Sequence, residues 1–156
     1  MSINPNWSRW IKSSVVKHFQ DYVGDVQLLI EGQPKVKLAQ NERFELRMEG
    51  PYISEESHNF FFLYIEINIL ISCIIDKDLY RIDTLAGMAA SGFMNVDVYR
   101  EGNGADDTGT LLGCLHLMQH SGSSEKVTQK NYGQQEHDVP MQQSSVEGHF
   151  TMTIHT

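Results

Sequence analysis

The feature that most constrains the fold is an alternating apolar segment at residues 60–71. All of its odd-numbered side chains are large and apolar: Phe61, Leu63, Ile65, Ile67, Ile69 and Ile71. The even-numbered positions are mixed and include Glu66 and Asn68. A period of two is typical of a β-strand with one buried face, and the whole apolar stretch is shorter than the roughly 20 residues of a membrane-spanning helix. We therefore predict a long strand in the middle of a sheet that is covered on one face.

Two other segments have the apolar periodicity of amphipathic helices. The first is opened by Asn4-Pro5 and ended by Gly24, and its apolar positions are Trp7, Trp10, Ile11, Val15, Phe19 and Tyr22. The second follows Asp76, which can cap it, and its apolar positions are Leu79, Ile82, Leu85, Ala86, Ala89 and Phe93. Each helix therefore has one apolar face to bury.

Shorter strands are predicted at residues 26–31, 44–49, 96–100, 111–120 and 146–154. Gly50-Pro51 is expected to end the second of these strands, with a polar connection at residues 54–59. Residues 121–145 contain few apolar side chains and are predicted to form a long extended loop or hairpin arm. The resulting prediction is a single α+β domain over residues 1–156, with a mainly antiparallel sheet covered on one face by two helices.

The balance of charge disfavours two classes of partner. The chain has 12 basic and 20 acidic side chains, which give a net charge of −8. Affinity for nucleic acid depends largely on Lys and Arg contacts with phosphates, and anionic membranes attract basic segments in the same way. The composition therefore argues against a free-standing nucleic-acid-binding protein and against docking on an anionic membrane.

The cysteines and the N-terminal residues favour a soluble, intracellular protein. Cys73 and Cys114 lie in apolar runs without the spacing of a metal site, and are expected to be buried, reduced thiols. The first residues lack the basic and then apolar order of a signal peptide.

No residue pattern in the sequence amounts to a catalytic, metal or cofactor site. His116 and His120 lie in predicted strand sequence, where four residues span roughly 13 Å, so their side chains cannot chelate one ion. Glu147 and His149 share a strand face and can form an ion pair or an acid/base couple, but no nucleophile motif accompanies them. We accordingly predict no cofactor and no bound metal.

Six segments occur in an order that is similar to a known family. They are an amphipathic helix, a strand ending in Gly, a polar connection, a long strand, a helix opened by acidic residues and a terminal strand. Their sequences are WSRWIKSSVVKHFQDYVG, FELRMEG, SEESHN, FFFLYIEINILI, DKDLYRIDTLAGMAASGFM and VEGHFTMTIHT. This order resembles the tail-terminator, or neck, proteins of tailed bacteriophages, and the resemblance covers about four-fifths of the chain. Residues 121–145 depart from it, being longer than a compact terminator needs.

The resemblance implies a structural, non-enzymatic protein that is assembled in the host cytoplasm and located in the neck of the virion. It implies a hexameric ring that caps the tail tube protein and joins it to the head-side connector, or adaptor, protein. DNA passes through the channel of such a ring without sequence-specific binding. Six copies bring a charge of −48 (6 × −8) to the ring, which suits a conduit that must not hold DNA by its phosphates.

The candidate contacts of such an assembly are aromatic or apolar side chains at the start of the central strand and in the long loop. They are Phe60, Phe62, Tyr64, Tyr132, Val139 and Met141. Three other functions stay open at this point. One is a head-completion adaptor with a twelve-fold ring on the portal, and another is a monomeric module that binds a small molecule. The third is a small hydrolase-like enzyme with a pocket of His116, Glu147 and His149.

Overall fold

The computed structural model describes residues 3–24, 26–31, 42–74, 80–100, 109–119, 126–135 and 141–155. Two helices and seven strands lie within these ranges. In chain order they are α1 (Trp7–Val23), β1 (Gln27–Ile30), β2 (Glu42–Ser57), β3 (Phe60–Ile74), α2 (Arg81–Ser91), β4 (Val96–Tyr99), β5 (Leu111–Leu117), β6 (Val127–Gln135) and β7 (Met141–His155).

The sheet is built on two long central strands, β3 and β7. The whole of β3 pairs antiparallel with β7 on one side, and almost all of it pairs antiparallel with β2 on the other. The first half of β7 pairs with β6, and a short stretch further along pairs with β5. The strand order is β1-β2-β3-β7-β5-β4, and β1 is parallel to β2 while the other pairs are antiparallel. The predicted central position of residues 60–71 is confirmed.

The sheet curls into a half-barrel, and α1 lies across its opening. This helix packs against β1 and β2 near one end of the strand order and against β4 at the other. Ser14 links α1 to β4, because its Oγ accepts a hydrogen bond from the N–H of Tyr99 at 3.0 Å. The same Oγ donates a hydrogen bond to the carbonyl of Trp10 at 2.8 Å. The second helix, α2, packs against β3 and β7.

The concave side of the sheet holds the hydrophobic core. The odd-numbered side chains of β3 from Phe61 to Cys73 are all buried, as the alternation predicts. The apolar face of α1 packs against them with Trp10, Ile11, Val15 and Phe19. Burying one large aliphatic or aromatic side chain contributes about 1.5–3 kcal/mol, so this face of β3 makes a large contribution to stability.

The prediction of a sheet covered on one face by two helices is wrong. The fold is mostly β, with strands over more than half of the described residues, and its sheet curls instead of lying flat beneath the helices. The predicted polar connection at residues 54–59 is wrong, because β2 runs on to Ser57. Residues 127–135 form β6, which pairs antiparallel with β7 as in the hairpin alternative of the prediction for residues 121–145. At one end of the sheet, the β4–β5 pair is joined to β7 through two residues of β5 within the described ranges, His116 and Leu117.

Gly50-Pro51 forms a bulge and does not end β2, contrary to the prediction. The β2–β3 register shifts between Glu49 and Tyr52, where Gly50 has a φ of 102° and the peptide bond to Pro51 is cis. Proline has no N–H to donate, which a bulge on an outer strand tolerates. After the bulge, β2 continues to a two-residue turn, in which Asn59 adopts a left-handed φ of 63°.

The ends of the two helices agree with the prediction to different degrees. The first helix ends before Gly24, whose φ of 58° is positive and therefore favours glycine. It begins at Trp7, two residues after Pro5, because the side chain of Asn4 accepts the N–H of Asn6 at 2.9 Å. The second helix begins at Arg81, and the predicted cap at Asp76 lies outside the described residues.

Candidate interaction surface

The predicted contact residues lie on the outer face of the sheet, opposite the core. Phe60, Phe62 and Tyr64 are even-numbered residues of β3 and are half-buried there. Met141 is paired with Ile74, which places it on the same face, and Tyr132 reaches that face by a hydrogen-bond contact of 3.1 Å between its Oη and Ser145 Oγ. Val139 lies outside the described residues.

Aromatic rings are grouped near the β2–β3 turn. The rings of Tyr52 and Tyr64 stack with centroids 6.2 Å apart, and the Tyr64 ring also stacks on His149 at 5.7 Å. Closer to the turn, Phe60 packs edge-on against His155 at 4.8 Å. Tyr52 belongs to β2, and His149 and His155 belong to β7. Pairing with β3 therefore places rings from three strands beside the aromatic residues predicted on β3.

A hydrogen-bonded polar cluster lies beside these rings. Tyr64 Oη donates to Glu66 Oε1 at 2.7 Å and also contacts Nδ1 of His149. The same Nδ1 is 3.1 Å from Glu66 Oε1, and the other ring nitrogen is 3.7 Å from Glu147 Oε1. Burial raises the pKa of Tyr64 above its ordinary value, and the hydrogen bond to Glu66 raises it further. The phenol therefore keeps its proton to a higher pH than an ordinary tyrosine.

The cluster brings together two of the three residues of the hydrolase-like hypothesis. Glu147 and His149 are adjacent, whereas His116 lies opposite Thr151 on β5 and is exposed. The hydrogen bonds and ion pairs of the cluster join His149 to Tyr64, Glu66 and Glu147, and His116 is not among these partners. The sequence did not reveal that Glu66 is a neighbour of His149. The two residues meet because the β3–β7 register pairs them.

The two thiols are not candidates for a nucleophile. Cys73 is buried, as predicted, but Cys114 on β5 is only half-buried. Burial raises the pKa of Cys114, and the carboxylate of Asp97 on the paired strand raises it further. A raised pKa keeps the thiol protonated at neutral pH, and the protonated form is a weak nucleophile.

A shallow acidic depression of about 530 Å³ occupies the outer face next to the polar cluster. Four carboxylates lie around it: Glu31, Glu49, Glu66 and Glu147. Arg47 is also at its edge and forms an ion pair with Glu45 at 3.3 Å. The floor of the depression includes Leu70 and Tyr132, and Tyr132 is one of the predicted contact residues.

A second surface, which the sequence analysis missed, lies between α1 and the β1–β2 pair. It is a groove of about 400 Å³ with Arg9 and Lys12 on one rim and Val16, Ile30 and Met48 among its apolar lining. The sequence of α1 contained evidence for one side of this groove, because Arg9, Lys12 and Val16 recur at helical spacing beside the buried face of the helix. The apolar side of the groove could not be assigned before β1 was known to lie beside β2.

Membrane-spanning helices and metal-binding clusters are both absent from the described residues. No helix among them combines the length and the apolar composition needed to cross a membrane. Within the same ranges, no group of three or more His, Cys, Asp or Glu side chains is arranged to hold a metal ion.

No protein-family model matches the chain, and no curated protein matches it.

Proposed function

We propose that this chain is a structural subunit of a tailed bacteriophage neck, the tail terminator. In this proposal six copies form a ring that caps the tail tube protein and joins it to the head-side connector, and DNA passes through the channel. The protein acts by assembly and has no catalytic role. The observation that carries the proposal is the combination of an aromatic outer face with an uncovered strand edge on β2.

The outer face supports assembly because it exposes large apolar side chains together. Tyr132 is 49% exposed at one end of this face, and Tyr52 is 53% exposed nearer the β2–β3 turn. Phe60 and Phe62 lie in the same region and are half-buried. Patches of this kind on a small domain are typical of surfaces that bind another protein.

The edge of β2 supports assembly by a different argument. Its pairing with β1 covers only Arg43–Leu46, so among the described residues no strand flanks β2 on that side beyond the bulge. An uncovered strand edge presents backbone N–H and C=O groups that can pair with another chain. A subunit that joins a ring can bury such an edge permanently.

The rotational symmetry of the layer that contains this chain, in intact particles, tests the proposal. We expect that electron microscopy of particles labelled through a tag on this chain shows a six-fold ring at the head-proximal end of the tail. A twelve-fold ring on the portal would reassign the chain to the head-completion adaptor. Absence of the chain from purified particles would contradict both assignments.

The proposal also predicts a defined assembly defect. Phage that lack this chain should make filled heads and separate tails that do not join, because the joining layer is missing. Complementation with the parent chain should restore joined particles, and a Ser91→Ala variant on the exposed end of α2 serves as the control. Joined particles without the chain would contradict a neck function.

A further inference from the structure

The α1 groove has the features of a receptor for an acidic, partly apolar segment. Arg9 is exposed and Lys12 is half-buried on its helical rim, and Glu31 lies across from them. The apolar lining between the rims includes Val16, Ile30 and Met48. The helix itself has three basic side chains and one acidic side chain, Asp21, in a chain whose net charge is −8. The groove is therefore a locally basic site on an acidic molecule.

The outer half of β2 and its turn have the complementary features. From Glu49 to Glu66 the sequence contains four carboxylates and no Lys or Arg. Glu55 and Glu56 are exposed beyond the bulge, close to the exposed apolar side chain of Ile53. We call residues 52–57 the acidic edge. It presents negative charge and apolar surface together along an uncovered strand.

The acidic edge cannot fill the groove of its own chain. Glu55 is seven residues along the strand from Met48 in the groove, a separation of roughly 24 Å at the usual rise per residue. The antiparallel pairing with β3 extends through Glu55 and holds the edge in place. The complementary surface must therefore come from another molecule.

We propose that the acidic edge of one copy docks in the α1 groove of a second copy of this chain. Glu55 and Glu56 then face Arg9 and Lys12, while Ile53 enters the apolar lining beside Val16. The contact joins two different surfaces, and such head-to-tail contacts close into a ring when the rotation between copies permits. This inference rests on the proposed function, because it names the contact between neighbouring subunits of the ring.

Disulfide trapping tests the contact directly. A bond forms only when the two Cα atoms come within about 7 Å, so the pair must meet in the assembly. We expect that mixing purified Ile53→Cys protein with Val16→Cys protein and oxidising the mixture gives a covalent dimer on a non-reducing gel. Ile53→Cys mixed with Asp83→Cys, an exposed position on α2, is the matched control. Equal dimer yields in the two mixtures would overturn the proposal.

Charge reversal tests the electrostatic part of the contact. Changing both Glu55→Lys and Glu56→Lys in the Ile53→Cys protein should lower the dimer yield about tenfold or more, because like charges then face each other. Changing Arg9→Glu and Lys12→Glu in the Val16→Cys partner should restore it. A yield that does not respond to the first change, or is not restored by the second, would contradict the assigned pairing.

The two proposals fail in distinguishable ways. A six-fold layer in particles without the Ile53–Val16 cross-link keeps the neck function and overturns the docking contact. A specific cross-link without the chain in particles keeps the contact, as self-association, and overturns the neck function.

Discussion

Ile67 and Asn68 are neighbours on β3 whose side chains face opposite sides of the sheet. Ile67 is fully buried in the core, so Ile67→Ala should lower the free energy of unfolding by about 2–5 kcal/mol through lost burial and a cavity. Asn68 is half-buried and makes a long hydrogen bond of 3.5 Å to Glu147, so Asn68→Ala should cost less than about 1.5 kcal/mol. Urea denaturation of both variants measures the difference. A loss below about 0.5 kcal/mol for Ile67→Ala would contradict its place in the core.

Tyr64 gives the polar cluster a pH dependence with a definite sign. Its pKa is raised above the ordinary value of 10.0, first by burial and then by the hydrogen bond to Glu66. The folded state therefore keeps the phenol proton at a pH where the unfolded chain loses it, and the free energy of unfolding should fall as the pH rises above about 10. Tyr64→Phe should reduce this fall, measured by urea denaturation at a series of alkaline pH values.

The control for this measurement is Tyr52 on the neighbouring strand. Its pKa is also raised, first by the hydrogen bond to Glu49, but its side chain is largely exposed. Tyr52→Phe should therefore change the alkaline slope less than Tyr64→Phe does. The same slope in the parent and the Tyr64→Phe variant would show that the cluster does not hold the phenol in its neutral form.

At the scale of elements, two glycines should respond oppositely to the same substitution. Gly50 in the β2 bulge has a φ of 102°, and an added Cβ would lie 3.1 Å from the carbonyl oxygen of Tyr64. Gly50→Ala should therefore destabilise the protein by at least about 1 kcal/mol. Gly87 lies on the exposed side of α2 with no atom near an added Cβ, so Gly87→Ala should stabilise it by up to about 1 kcal/mol. Thermal unfolding compares them, and equal shifts would contradict the bulge.

Which elements could be predicted depended on whether local sequence or pairing determines them. The buried face of β3 follows from its alternation, and Gly24 ends α1 for a local reason. By contrast, Gly50-Pro51 is a strong local stop signal that the β2–β3 pairing overrides. The strand β6 could not be predicted from its own sequence, which lacks an apolar alternation. It is held in place by its pairing with β7 and by the hydrogen bond from Ser144 Oγ to the carbonyl of Lys130.

The candidate site shows the same division. Phe60, Phe62 and Tyr64 could be predicted, because the residues of one strand face are separated by two positions. The contact of Tyr52 with Tyr64 and the contact of Glu66 with His149 were missed, since both depend on pairing between strands. A contact across strands depends on register, and register was not determined by any single segment.

At the scale of the whole molecule, the curl of the sheet had no local signature. The outer edge of β7 is shared between β6 and β5, and two residue pairs among the described residues join β5 to β7. The helix α1 then meets both β1–β2 and β4, which are distant along the strand order. The groove itself lies between α1 and the β1–β2 pair, so it could be found only once the pairing of β1 with β2 was known.

The net charge of the whole molecule gives a last prediction, which concerns DNA. A neck channel must let the duplex slide, so the chain should not hold phosphates despite the basic rim of α1. We expect no retardation of duplex DNA by the purified protein at low salt, because a net charge of −8 opposes the counterion release that drives such binding. As a comparison, a variant with Glu49→Lys, Glu66→Lys and Glu147→Lys reverses charge around the outer depression and should retard DNA in a salt-sensitive way. Retardation by the parent chain, abolished by Arg9→Glu and Lys12→Glu, would instead make the α1 groove a phosphate-binding surface and remove it as the docking site for a second copy.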